Sequence, residues 1–170
     1  MKKTSVLRLF LVILAAFTLF STVAVAREQT RLSNPNVVGG EILGRGLLYG
    51  IFYDRAMSDV TAAGFSFGTV SNSLGSTALL IPAYFNYYFA KDESSVFATG
   101  GITLLANANS VVGTSPKVGN VTFSSGAVIP TAGLGFEDRG DAGFLFRATA
   151  YAMISSNLSL WAGFSFGYAF

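Results

Sequence analysis

The sequence predicts an all-β chain closed into an eight-stranded antiparallel barrel, and three observations carry that prediction. The last 13 residues alternate between bulky apolar and small side chains, which is the period of an extended strand. Glycine (19 residues) and aromatic residues (14%) are both abundant, a combination suited to strands packed closely against large rings. Beyond the amino-terminal segment, the longest apolar candidate, residues 77–90, reaches 14 residues and contains Pro82 and Asn86. A transmembrane helix needs roughly 18 to 20 unbroken apolar residues.

At 170 residues the chain is long enough for one domain. It contains neither Cys nor His. Disulfides, thiol nucleophiles, thiolate metal sites, imidazole bases and the usual zinc or haem ligands are therefore excluded. No cofactor and no metal are expected. Lys2, Lys3 and Arg8 precede an apolar run over residues 9–20, and Ala24-Val25-Ala26 follows. This is the pattern of a secretory signal peptide cleaved after Ala26. The expected organisation is thus a signal peptide at residues 1–26 and a barrel domain at residues 27–170, with no separate periplasmic domain. Cleavage leaves 8 basic residues against 9 acidic ones, a net charge of −1. No basic patch remains to neutralise a phosphate backbone, so nucleic acid is not an expected partner.

The strands follow in order. Leu47, Tyr49, Ile51 and Tyr53 oppose Gly46, Leu48, Gly50, Phe52 and Asp54. Ala63, Phe65 and Phe67 oppose Gly64, Ser66 and Gly68. Ile81, Ala83, Phe85, Tyr87 and Phe89 oppose Tyr84, Asn86 and Tyr88, with Pro82 fitting only near a strand end or a bulge. Ala98, Ile102 and Leu104 oppose Thr99, Gly101 and Thr103, and Leu134 and Phe136 oppose Gly133, Gly135 and Glu137. Phe144, Phe146, Ala148 and Ala150 oppose Arg147, Thr149 and Tyr151. In the last strand Leu158, Leu160, Ala162, Phe164, Phe166, Tyr168 and Phe170 share one face.

In a soluble barrel the outward faces would carry charge. Here the second face is small or polar, the charges gather at turns and on the presumed interior, and the bulky face reads as lipid-facing. A sheet in hydrocarbon cannot leave an open edge, so it must close. Seven strands are legible; even-numbered closure implies an eighth, before or within residues 37–46, where glycines obscure the pattern. A barrel with an odd strand number and one parallel pair is the alternative. Short charged turns at residues 56–59, 91–94 and 138–141 fall on the periplasmic side. Connections at 69–76, 105–125 and 154–156 fall outside, the middle one rich in Ser, Thr, Asn and Gly.

The carboxyl end, Phe164-Ser165-Phe166-Gly167-Tyr168-Ala169-Phe170, has aromatics at alternate positions and a final Phe. With it, the chain resembles the small bacterial outer-membrane β-barrel proteins, the group that includes OmpX and the transmembrane domain of OmpA. The resemblance implies residence in the outer membrane of a Gram-negative envelope. It also implies contact with outer-membrane lipid and recognition of Phe164, Phe166, Tyr168 and Phe170 by the barrel assembly machinery. Function varies within the group and does not transfer with the fold.

Arg45 and Arg55 bracket the apolar face of Leu47, Tyr49, Ile51 and Tyr53. Arg45, Arg55, Tyr49 and Tyr53 are therefore expected as membrane-interface anchors, because an Arg at the bilayer midplane costs about 2–4 kcal/mol and much less at the headgroups. Arg147 falls in midstrand on the opposite face and must point into the lumen. A three-residue hairpin loop at 139–141 places it opposite Gly133, within diagonal reach of Gly135 and Glu137. A charge stripped of water needs a partner; Glu137 is the first candidate, with Asp54 and Glu41 next, in a structural ion-pair network. Tyr84, Tyr88, Tyr151 and Trp161 also project inward and plug a lumen barely wide enough for its own side chains. No spacing of Ser, Asp or Glu specifies a catalytic site. The expected function is a structural or surface-exposed barrel and not an enzyme. The alternatives are a narrow, porin-like channel or small-ligand or lipid conduit and, behind it, a lipid-modifying enzyme. No extracellular partner is indicated.

Overall fold

The computed structural model describes residues 31–71, 77–109, 117–118, 121–122, 126–140, 142–154 and 158–170; the expected signal peptide lies outside them. Among the described residues there is no helix and there are ten strands: β1 (Asn36–Ile42), β2 (Tyr49–Ser58), β3 (Thr61–Ser71), β4 (Thr77–Tyr88), β5 (Ser94–Asn109), β6 (Lys117–Val118), β7 (Val121–Thr122), β8 (Val128–Arg139), β9 (Phe144–Ile154) and β10 (Leu158–Ala169). Eight of them close into a barrel in the order β1-β10-β9-β8-β5-β4-β3-β2, every pair antiparallel. β6 and β7 pair with each other separately.

The eighth strand is β1, inside the glycine-rich stretch where closure required it. It pairs with β2 on one side and with the final strand on the other, from Val37↔Ala169 to Ile42↔Phe164. Reciprocal backbone bonds between Asn36 and Phe170, at 3.0 and 2.8 Å, extend the seam. The strand is legible once faces are assigned: Val37 and Glu41 are buried, while Val38 and Ile42 are exposed. Both ends of the barrel chain thus meet at one end of the cylinder, here the terminal end; residues 43–48, which join β1 to β2, lie at the other, the far end.

Faces alternate around the wall as the period-two pattern requires. Ile51, Leu134 and Leu160 are 65%, 60% and 72% exposed, while Phe52, Asp54, Glu137 and Arg147 next to such positions are buried. Most barrel strands have 10 to 12 residues, against roughly 9 to 11 tilted residues for a bilayer crossing.

Four local expectations are corrected. Pro82 sits in midstrand of β4, facing Thr103 of β5. It has no N–H to donate, and the β3–β4 pairing is interrupted at that place, between Phe65↔Ala83 and Gly68↔Leu80, without a change of register. The β8–β9 turn is longer than expected: strands end at Arg139 and resume at Phe144, and Gly143 adopts φ +85°. The register therefore puts Arg147 directly opposite Glu137. The 105–125 segment is not wholly a loop, because β5 continues to Asn109 by pairing Leu79↔Ala106 and Thr77↔Asn109 with β4, and β6–β7 lies within it. Finally, β2 begins at Tyr49, and residues 43–48 leave the wall. Leu47 is consequently buried and Leu48 exposed, the reverse of a continuous strand.

Candidate functional site

Period-two alternation sends every second residue into the lumen, and the far and terminal ends of that lumen are apolar. Leu47, Ala78, Leu80, Leu105, Ile129 and Met153 form one cluster at the far end. Val37, Phe52, Leu145 and Ala169 form a second cluster at the terminal end, beside a third made of Ala62, Tyr88 and Phe97. The charges run from the middle of the lumen to its terminal end: Arg45 and Arg147 with Glu41, Asp54 and Glu137, and, towards the terminal end, Arg31 and Arg139, all buried.

Glu137 is the hub of the first cluster. Its carboxylate accepts from Arg147 Nε at 2.5 Å, Arg139 Nε at 2.8 Å, Arg31 Nε at 3.3 Å and the Tyr88 hydroxyl at 2.7 Å. Charge-assisted bonds of this kind are the strong ones. Arg147 also forms an ion pair with Asp54, which accepts from the Tyr84 hydroxyl at 2.7 Å. Arg31 enters from the segment preceding β1. It donates to the carbonyls of Asp59 at 3.0 Å and Ala90 at 3.1 Å, and its guanidinium lies 3.8 Å from the Tyr88 ring centroid.

The second cluster surrounds Arg45, carried by the connection between β1 and β2. The guanidinium lies 3.6 Å above the Tyr84 ring and 5.4 Å from that of Tyr151. It donates to Asn86 Oδ1 at 3.0 Å and Thr99 Oγ1 at 2.8 Å, and forms an ion pair with Glu41 at 3.5 Å. Glu41 also accepts from the backbone N–H of Arg45 at 2.8 Å and of Gly46 at 3.3 Å, while Trp161 Nε1 donates to the Gly44 carbonyl at 3.2 Å. Tyr84 links the clusters, with its ring under Arg45 and its hydroxyl on Asp54.

Glu137, Arg147 and Asp54, named from the sequence, thus lie in one contact network, and Glu41 lies in the other. Arg45 is corrected: it is 2% exposed and fills the lumen instead of facing headgroups, because residues 43–48 fold inward. Arg55 and Tyr49 are exposed on the outer face; Tyr53 is half-buried, and its hydroxyl donates to Asn36 at 2.8 Å. Arg31 and Arg139 were not anticipated as lumen residues. Arg139 had a usable signal, being two residues from Glu137 in one strand and so on the same face; Arg31 had none. Phe164, Phe166, Tyr168 and Phe170 are exposed along the outside of β10 and beyond its end. There Phe146 meets Phe166 at 5.4 Å and Phe164 at 6.3 Å between centroids.

Among the described residues no group of three or more His, Cys, Asp or Glu is placed to hold a metal ion. The lumen carboxylates are instead bound to guanidinium groups.

No protein-family model matches the chain, and no curated protein matches it. Among solved structures, the N-terminal β-barrel domain of Pseudomonas aeruginosa OprF superposes with a TM-score of 0.54 at 15% identity, covering 79% of this chain and 95% of that one. The chain therefore has the eight-stranded, OmpA-like barrel fold represented by that OprF domain.

Proposed function

We propose that the protein is a small outer-membrane barrel with a structural or surface-exposed role, a closed lumen and no catalytic site. The observation that supports this reading is the inversion of polarity. Exposed Tyr49, Ile51, Phe65, Phe67, Phe85, Leu134 and Leu160 cover the outside, and seven charged side chains are packed inside. A soluble barrel would bury the first set, whereas hydrocarbon solvates it and excludes charge. In this reading the signal peptide is removed after Ala26, lipid surrounds the wall, and the aromatic end of β10 is the signal read by the assembly machinery. Arg55 and Tyr49 are headgroup anchors, and the connection that follows β5 faces the exterior.

The Glu137–Arg147–Asp54 network holds opposite walls of the cylinder together. Breaking a buried pair leaves an uncompensated charge in a dry interior, which penalises any slip of register that would separate Glu137 from Arg147. The test is fractionation of the expressed protein followed by gel mobility with and without boiling, and conductance across planar bilayers. The reading expects outer-membrane recovery, a heat-dependent shift and electrical silence. A monomer that dissolves without detergent would overturn the membrane assignment, and steady single-channel currents would overturn the closed lumen.

A further inference from the structure

We propose that the far half of the lumen is a recognition site for planar organic cations of the guanidinium type, and that Arg45 of the chain itself occupies it in the closed state. The side chains that wall the site come from strands and not from the loop that carries its occupant, although the Glu41 carboxylate also accepts from the loop's Arg45 and Gly46 N–H groups. Glu41 belongs to β1, Tyr84 and Asn86 to β4, Thr99 to β5 and Tyr151 to β9. If residues 43–48 withdraw, these strands keep an aromatic face, two neutral acceptors and a carboxylate around one vacancy. That set matches a flat cation with a fork of N–H donors and suits a compact ammonium less well.

The occupant sits on a loop built to leave. Residues 43–48 make no ladder bonds to the wall. Their backbone–backbone bonds are local, Leu43 N–H to Leu48 O at 2.8 Å, Leu47 N–H to Gly44 O at 3.0 Å and Leu48 N–H to Gly46 O at 3.2 Å, and their backbone ties to the wall run through two side chains, Glu41 and Trp161. Leu43 and Leu47 adopt φ of +52° and +71°, a region that residues with a Cβ rarely occupy. Arg147 differs in this respect, since its backbone is locked between β8 and β10. Withdrawal also removes Leu47 from the apolar cap, which opens the approach to the vacated site. It leaves Glu41 without its counter-charge, so the replacement must be cationic. The inference rests on lumen geometry and goes beyond the membrane role.

Trp161, the single Trp of the chain, contacts Gly44 and stacks on Tyr151 at 5.4 Å, so its fluorescence reports whether the loop is docked. Ethylguanidinium titrated into folded Arg45→Ala in micelles should give a saturable Trp161 response and a raised melting temperature. Ethylammonium should bind about tenfold more weakly, and adding Glu41→Gln should abolish the response. Gly163→Ala approaches from another side: a Cβ there would collide with the Leu43 carbonyl and push the loop outward while every wall partner stays. This variant should bind ethylguanidinium more tightly than the unaltered chain. Gel mobility shows which variants fold. A folded Arg45→Ala without a saturable response, or with equal affinity for ethylammonium, overturns the proposal. If Arg45→Ala does not fold, Gly163→Ala decides, and affinity no higher than that of the unaltered chain overturns it.

Discussion

The two arginine clusters of the lumen are built differently. Arg147, Arg139, Glu137 and Asp54 project from strands, so their positions follow from the pleat and the register. Arg45 projects from a six-residue connection that folds back into the cylinder, and reaches its partners through a backbone with two left-handed leucines. Glycine makes that approach possible: a Cβ on Gly163 would strike the Leu43 carbonyl, and one on Gly68 would press on Gly46. A charge held by strands is part of the wall, whereas a charge held by a loop is an insert with its own equilibrium.

The contrast predicts a graded set of effects on unfolding in detergent or lipid. Glu137→Gln should cost most, about 3–5 kcal/mol or more, because three guanidinium groups lose their common carboxylate in a dry interior. A denaturant midpoint within error of the parent would show that the network carries little of the barrel's stability. Arg147→Met should follow at about 3 kcal/mol, since Asp54 keeps Tyr84 and Glu137 keeps Arg31 and Arg139. Equal stability of the two forms would break the distinction between wall and insert. Arg45→Met should cost about 2 kcal/mol, and its signature is a changed Trp161 emission that Arg147→Met lacks. Arg55→Ala, exposed on the outer face, should change stability by about 0.5 kcal/mol at most; a loss as large as that of Arg147→Met would mean that the outward arginine is structural too.

Of the local features, those governed by period two were legible in the chain. The terminal strand, the inward placement of Tyr84, Tyr88, Asp54 and Arg147, and the need for an eighth strand all followed from alternation and from the closure that hydrocarbon demands. Arg45 was misplaced because alternation was extended through Gly44 and Gly46, where the backbone had already turned. Glu137 is the partner that the sequence offered first for Arg147, and only the register differs, since the length of the β8–β9 turn depends on where Gly143 adopts its positive φ. Arg31 lay beyond any such reasoning, because its segment has no repeat.

By itself the sequence determined which residues share a face and that the sheet must close, since side-chain alternation and backbone hydrogen bonding are local and obligatory. Tertiary structure decided which charges meet. Contacts such as Arg31 with Glu137 or Arg45 with Thr99 cross the lumen between residues 106 and 54 positions apart. They depend on register, turn length and the inward fold of one loop, each of which is set by how the finished cylinder fills its interior.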